Sequence, residues 1–182
     1  EILDDLRGIL FLELLNFTDE EVALFDPNHP THTWRLNGFE FGAGVRLPAR
    51  GILLLAPASG PTPEEFRLLH QVPVEVPILA LGGTIDPDGC ELVLERPGDP
   101  VASGDGAGRV PYLEADRVRY CRQAPWPDLA ALAGRSLERV VPDGCGSEPL
   151  HWQASDAVQG TPGRGLQPPT TPLLAADRTS MA

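Results

Sequence analysis

Short apolar runs, each ended by turn residues, follow one another along most of the chain. The run Ile52 to Ala56 has the length and flanks of a strand that is buried on both faces. Phe39 and Phe41 alternate with polar residues, and residues 90–95 alternate in the same way, as expected for half-buried strands. Roughly eight such strands, with turns every 8–12 residues, predict an all-β sandwich.

One segment carries clear helix signals. Thr62 stands where an N-cap is expected, and Pro63 follows it at the first helical position. Glu65 comes three residues after Thr62, so the two residues fit a capping box. Phe66 begins the apolar face. We predict a short inserted helix that begins at Pro63 and ends by about Gln71.

The composition changes near the C-terminus. From about residue 159 the chain is rich in proline, glycine and threonine, which is typical of a linker or tail. We therefore expect one folded domain over residues 1–157 and a disordered tail or linker over residues 158–182. Residues 1–5 lack the basic start and apolar segment of a signal peptide, and no methionine precedes them. We interpret the chain as a piece of a longer protein.

Charge and composition narrow the classes of partner. The chain has a formal net charge of −12, and all of its basic residues are arginine. Nucleic-acid phosphates and anionic membrane surfaces repel such a protein, so neither is expected as a partner. The 19 glycines and 20 prolines exclude a long-helix protein. The longest apolar runs are too short for a transmembrane helix.

The chain contains three cysteines, Cys90, Cys121 and Cys145. An odd number excludes a closed disulfide framework, and no pair has the C-x-x-C spacing of a zinc site. One disulfide with one free thiol, or three free thiols, are both compatible with the sequence. The cysteines therefore do not indicate whether the protein resides in an oxidising or a reducing compartment.

His29 and His32 are the first candidates for metal or ligand binding. Imidazole is a common metal ligand, and the two residues stand three positions apart. Pro30 lies between them and places the pair in a loop, and the sequence offers no third ligand at a suitable spacing. We favour a structural loop, with His29 and His32 as part of a candidate ligand surface.

Four aspartates on neighbouring loops are candidates for calcium binding: Asp86, Asp88, Asp99 and Asp105. Calcium prefers six to eight oxygen ligands, which such loops can supply. The order of ligands that defines an EF-hand is absent, because Gly89 comes too early. We favour turn formation and solubility, and therefore no cofactor, with calcium as the alternative.

Trp126 is the third candidate for a ligand surface. An exposed tryptophan can stack on a sugar ring, but Pro125 and Pro127 flank this one and fix its backbone. We favour a packing role for Trp126, and for Trp34 a place in the core, as is common in β-sandwiches.

The chain offers no convincing catalytic site. Ser136, His151 and Asp156 are the residue types of a hydrolase triad, but no G-x-S-x-G motif surrounds Ser136. A chain of this length contains such triples by chance. We predict that the protein is not an enzyme.

Several motifs follow one another in the order found in lamin tail domains. The chain resembles the bacterial, surface-protein type of this family, as carried by planctomycetes. The matching segments are FLELLNFT (11–18), LFDPNHPTHTWRLNG (24–38), LPARG (47–51), residues 63–73, GCELVL (89–94), DRVRY (116–120), APWP (124–127), SLER (136–139), WQAS (152–155) and GTPG (160–163). The resemblance covers about residues 1–165.

This resemblance implies an immunoglobulin-like β-sandwich whose first strand is truncated. It also implies a non-catalytic binding, adhesion or scaffold module of a larger exported or cell-surface bacterial protein, with a protein or a cell-surface polymer as its partner. The alternative is an accessory carbohydrate- or calcium-binding domain of an attached hydrolase or kinase-like protein. The DNA binding of nuclear lamins is not expected here, because a nucleic-acid site needs a basic patch and the chain has a formal net charge of −12.

Overall fold

A computed structural model of the chain describes residues 1–5, 8–82, 91–121, 123–127 and 134–165. The structure consists mostly of strands with one short helix, which confirms the all-β prediction. The elements are β1 (Ile2–Asp5), β2 (Gly8–Leu15), β3 (Val22–Ala23), β4 (Phe25–Asp26), β5 (His29–Thr33), β6 (Arg35–Leu36), β7 (Phe39–Glu40), β8 (Arg46–Leu47), β9 (Ile52–Pro57), α1 (Pro63–His70), β10 (Ile78–Leu81), β11 (Glu91–Pro97), β12 (Tyr112–Arg119), β13 (Leu137–Arg139), a 3-10 turn (Pro149–His151) and β14 (Trp152–Ala154).

The larger sheet has six strands in the order β10-β9-β2-β1-β13-β14. Its pairs are antiparallel except β9 and β10, which run parallel. A parallel pair needs a crossover connection, and the segment between these two strands contains α1. The short helix is therefore the element that returns the chain to the same end of the sheet.

The second sheet has four antiparallel strands in the order β12-β11-β6-β7. Two small ribbons, β3 with β8 and β4 with β5, complete the described pairings. Both large sheets contribute to one core, whose buried members include Leu12, Leu55 and Leu137 from the first sheet and Leu36, Leu92 and Val118 from the second.

Strand β9 is buried on both faces, as its unbroken apolar run predicts. Leu53 and Leu55 belong to the core shared by the two sheets. Leu54 and Ala56, which point the opposite way because side chains alternate along a strand, belong to a second cluster that contains Phe66 of α1. All four residues are at most 1% exposed. The helix therefore covers the outer face of the six-stranded sheet.

The predicted capping box at the start of α1 is confirmed. The Thr62 hydroxyl accepts a hydrogen bond from the Glu65 backbone N–H, and the Glu65 carboxylate accepts one from the Thr62 N–H. The helix ends at Gln71, which adopts the left-handed conformation with φ 53°. No helix of the described residues is long and apolar enough to cross a membrane.

The segment that follows β14 is bound to the domain as far as the structure describes it. The Thr161 N–H donates to a Glu1 carboxylate oxygen at 2.7 Å, and the Gly163 N–H donates to Glu13 at 2.8 Å. Gly163 is buried. The sequence predicts a tail over residues 158–182. The contacts above involve its first part, and residues 166–182 lie outside the described part of the chain.

Candidate functional site

The ribbon of β4 and β5 brings together three side chains that can ligate a metal. Asp26, His29 and His32 each offer a ligand atom, and these atoms lie within 4.8 Å of one another. The sequence pattern suggested no third ligand for the two histidines, and this expectation was wrong. Asp26, on the neighbouring strand, offers the third ligand atom.

The pairing of the two strands explains how the rings meet. Asp26 is opposite His29, but Phe25 is opposite Thr33, so β5 carries extra residues between two consecutive partners of β4. Such a bulge turns side chains away from strict alternation. The rings of His29 and His32 consequently stack, with centroids 5.0 Å apart and planes inclined by 20°.

Asp26 is held as an ionised hydrogen-bond acceptor. Its Oδ2 accepts a hydrogen bond from His29 Nδ1 at 2.7 Å, and its Oδ1 accepts one from the Asn28 N–H at 2.8 Å. The bond from His29, reinforced by that from Asn28, lowers the pKa of Asp26 below its usual value. The carboxylate is therefore available as a negatively charged ligand at neutral pH.

The two histidines differ in their surroundings. The His29 side chain is 51% exposed, so solvent reaches the cluster from that side. His32 Nδ1 is buried and has no hydrogen-bond partner among the described residues. Buried polar atoms without a partner are rare in folded proteins, because the desolvation of the atom is not compensated.

The described calcium candidates do not form a site. Asp99 and Asp105 are both exposed, and within the described residues neither joins a group of three ligand-bearing side chains. Asp86 and Asp88 lie outside the described residues, as does Cys90. Cys121 and Cys145 are free thiols.

Trp126 is part of the core. Its side chain packs against Tyr120 and Trp152, with ring centroids 6.3 Å and 6.0 Å away, and the residue is 7% exposed. A sugar platform needs an exposed ring face, so Trp126 cannot serve as a ligand surface in this conformation. Trp34 is half-buried and packs against the same core.

Ser136 and His151 lie too far apart to act together. The Ser155 N–H donates a hydrogen bond to the Ser136 carbonyl. Further along the same pair of strands, the Val140 N–H donates to the His151 carbonyl. Four residues of extended chain separate the two positions, which corresponds to about 13 Å. The Ser136 hydroxyl donates to the Glu1 carboxylate, and His151 Nδ1 bonds the Cys145 carbonyl at 2.9 Å.

A largely apolar cavity of about 400 Å³ extends between the two large sheets. Leucines of the core line it together with the carboxylates of Glu13 and Glu138. Its size falls within the range of small-ligand sites, about 300–1,000 Å³. Sequence reasoning could not find it, because the volume depends on how far apart the two sheets pack.

Sequence reasoning also missed Asp26, although the signal was present. Asp26, His29 and His32 follow a D-x-x-H-x-x-H spacing, in which each candidate ligand is three residues from the next.

No family model, curated protein or solved structure matches the chain.

Proposed function

We propose that this chain is a non-catalytic interaction module of a larger exported or cell-surface bacterial protein. The observation that carries the proposal is a set of apolar side chains on and after α1. Leu68 is 80% exposed, Leu69 is 66% exposed and Val74 is 85% exposed. Leu68 and Leu69 are consecutive residues of α1, and Val74 comes four residues after its end. Exposed apolar patches are typical of protein–protein contact sites.

The helix is well suited to present these side chains. Phe66 of the same helix is 2% exposed and anchors α1 to the six-stranded sheet. The Arg67 guanidinium donates to the carbonyls of Pro73 and Val76, so it ties the loop after the helix to the helix itself. A surface that is fixed before binding loses less conformational entropy when a partner docks.

An immunoglobulin-like β-sandwich of the lamin tail type is part of the proposal. The shared core of the two large sheets supports it, as does the order of the short motifs along the sequence. Interaction modules of this architecture commonly bind through loops and exposed faces rather than through a catalytic cleft. The partner is a protein or a polymer of the cell surface.

The test compares binding of the full chain with that of two variants. The labelled chain is titrated against a cell-envelope preparation of the bacterium that encodes it. We expect saturable binding that Leu68→Glu/Leu69→Glu weakens by about tenfold or more, as for interface hot spots. Leu150→Glu changes an equally exposed leucine elsewhere and should bind like the unmodified chain. Equal binding by all three proteins, or no saturable binding, would overturn the proposal.

Thermal melting separates this function from the accessory-domain alternative. A ligand that binds only the folded state raises the melting temperature. We expect no rise with millimolar Ca²⁺ or with a panel of soluble polysaccharides. A clear rise with either would favour the calcium- or carbohydrate-binding domain instead.

A further inference from the structure

We propose that Asp26, His29 and His32 form a binding site for a divalent transition-metal ion of the zinc type. The first observation is geometric: one carboxylate and two imidazoles converge with their ligand atoms within 4.8 Å. The second is the buried Nδ1 of His32, which has no partner among the described residues. A metal ion bound at this nitrogen would give it the partner that the protein does not.

The donor set selects the class of ion. Two imidazole nitrogens and one carboxylate oxygen are the ligands of Zn²⁺, Co²⁺, Ni²⁺ and Cu²⁺ sites. Calcium and magnesium prefer sites built wholly from oxygen, which this cluster does not provide. Ligand atoms around a tetrahedral zinc ion are about 3.3 Å apart. The ligand atoms lie within 4.8 Å of one another, so their separations need to change by at most about 1.5 Å to surround the ion.

The hairpin holds the ligands in place before an ion arrives. The Asn28 N–H fixes the Asp26 carboxylate, and that carboxylate orients the His29 ring. Phe25, the residue before Asp26, is only 8% exposed, and the Arg46 guanidinium lies 5.2 Å from its ring centre. These contacts hold the strand that carries Asp26.

The site leaves room for another ligand. Three protein groups fill three of the four positions of a tetrahedral ion, and the exposed side of His29 faces solvent. Water or a donor group of another molecule can occupy the remaining position. The proposal is independent of the contact surface at α1, since it involves different elements of the fold.

The test is calorimetric titration of the full chain with ZnCl₂, repeated with CoCl₂ in an absorption spectrometer. We expect one ion to bind per chain. His29→Gln, His32→Gln and Asp26→Asn should each weaken binding by about tenfold or more. His151→Gln is the matched control and should bind like the unmodified chain. Circular dichroism establishes that each variant is folded.

Cobalt distinguishes this site from the cysteines. Binding at Asp26, His29 and His32 gives visible bands of cobalt with nitrogen and oxygen ligands, without the ultraviolet charge-transfer band of a thiolate. That band, or unchanged affinity in all three variants, would place the ion elsewhere and overturn the proposal. The absence of saturable binding to the unmodified chain would overturn it as well.

Discussion

At the scale of single residues, three carboxylates hold the segment after β14. Thr161 Oγ1 lies 3.2 Å from Glu1 Oε2 and 3.0 Å from Glu138 Oε1, while Glu13 accepts from Gly163. Burial raises the pKa of Glu13 and of Glu138 above the usual glutamate value. The neighbouring carboxylates add to this in both cases, because like charges disfavour ionisation.

These pKa shifts predict how stability depends on pH. An acid with a raised pKa binds more protons in the folded state than in the unfolded state, so the free energy of unfolding falls as pH rises. The fall begins near the usual glutamate pKa and ends above the raised values. Glu138→Gln should flatten this dependence in urea unfolding between about pH 4 and pH 7. Glu75→Gln, at an exposed position, is the control and should leave the slope unchanged. An unchanged slope for Glu138→Gln would contradict the prediction.

The burial of Trp126 predicts a large effect on stability. Trp126→Ala removes a side chain packed against two other aromatic rings and should lower the free energy of unfolding by about 3–5 kcal/mol. Trp126→Phe keeps part of the packing and should lose less. Guanidinium unfolding of the three proteins gives the values. A loss below about 1 kcal/mol for the alanine variant would mean that the ring contributes little to the core.

At the scale of elements, helix α1 depends on its N-terminal cap. Thr62→Ala removes the hydroxyl that accepts from Glu65, which should destabilise the helix by about 1 kcal/mol. Thr62→Ser keeps an acceptor at the same place and should retain most of the stability. Hydrogen exchange of the helical amides measures both. Equal protection in the alanine variant would show that packing through Phe66 alone holds the helix.

Elements with local signals were predictable from sequence, and elements that depend on pairing were not. The capping box and the double burial of β9 follow from neighbouring residues, so both were expected. The parallel pairing of β9 with β10 joins strands on either side of a helix, and no local pattern encodes it. The D-x-x-H-x-x-H spacing of the proposed metal site is visible in the sequence. The bulge that stacks His32 on His29 comes from strand register, so the spacing alone does not show that the side chains meet.

At the scale of the whole molecule, the two ends of the described chain meet. Strand β1 lies in the middle of the six-stranded sheet, between β2 and β13. Glu1, just before it, accepts hydrogen bonds from both Ser136 and Thr161. Residues close to the end of the described chain thus help to satisfy carboxylates at its start. Composition predicts a tail from residue 158, because large apolar residues become rare there. Composition does not reveal polar contacts such as these, so the binding of residues 161 and 163 was not predicted.

These contacts predict where the chain can be shortened. A chain that ends at residue 157 lacks the donors at Thr161 and Gly163, so Glu13 loses its backbone partner. An unsatisfied buried acceptor costs about 1–3 kcal/mol, and the melting temperature should fall accordingly. A chain that ends at residue 165 keeps both donors and should melt at a higher temperature than the chain that ends at residue 157. If the two shortened chains have the same melting temperature, residues 158–165 add nothing to stability, and the folded domain ends at residue 157.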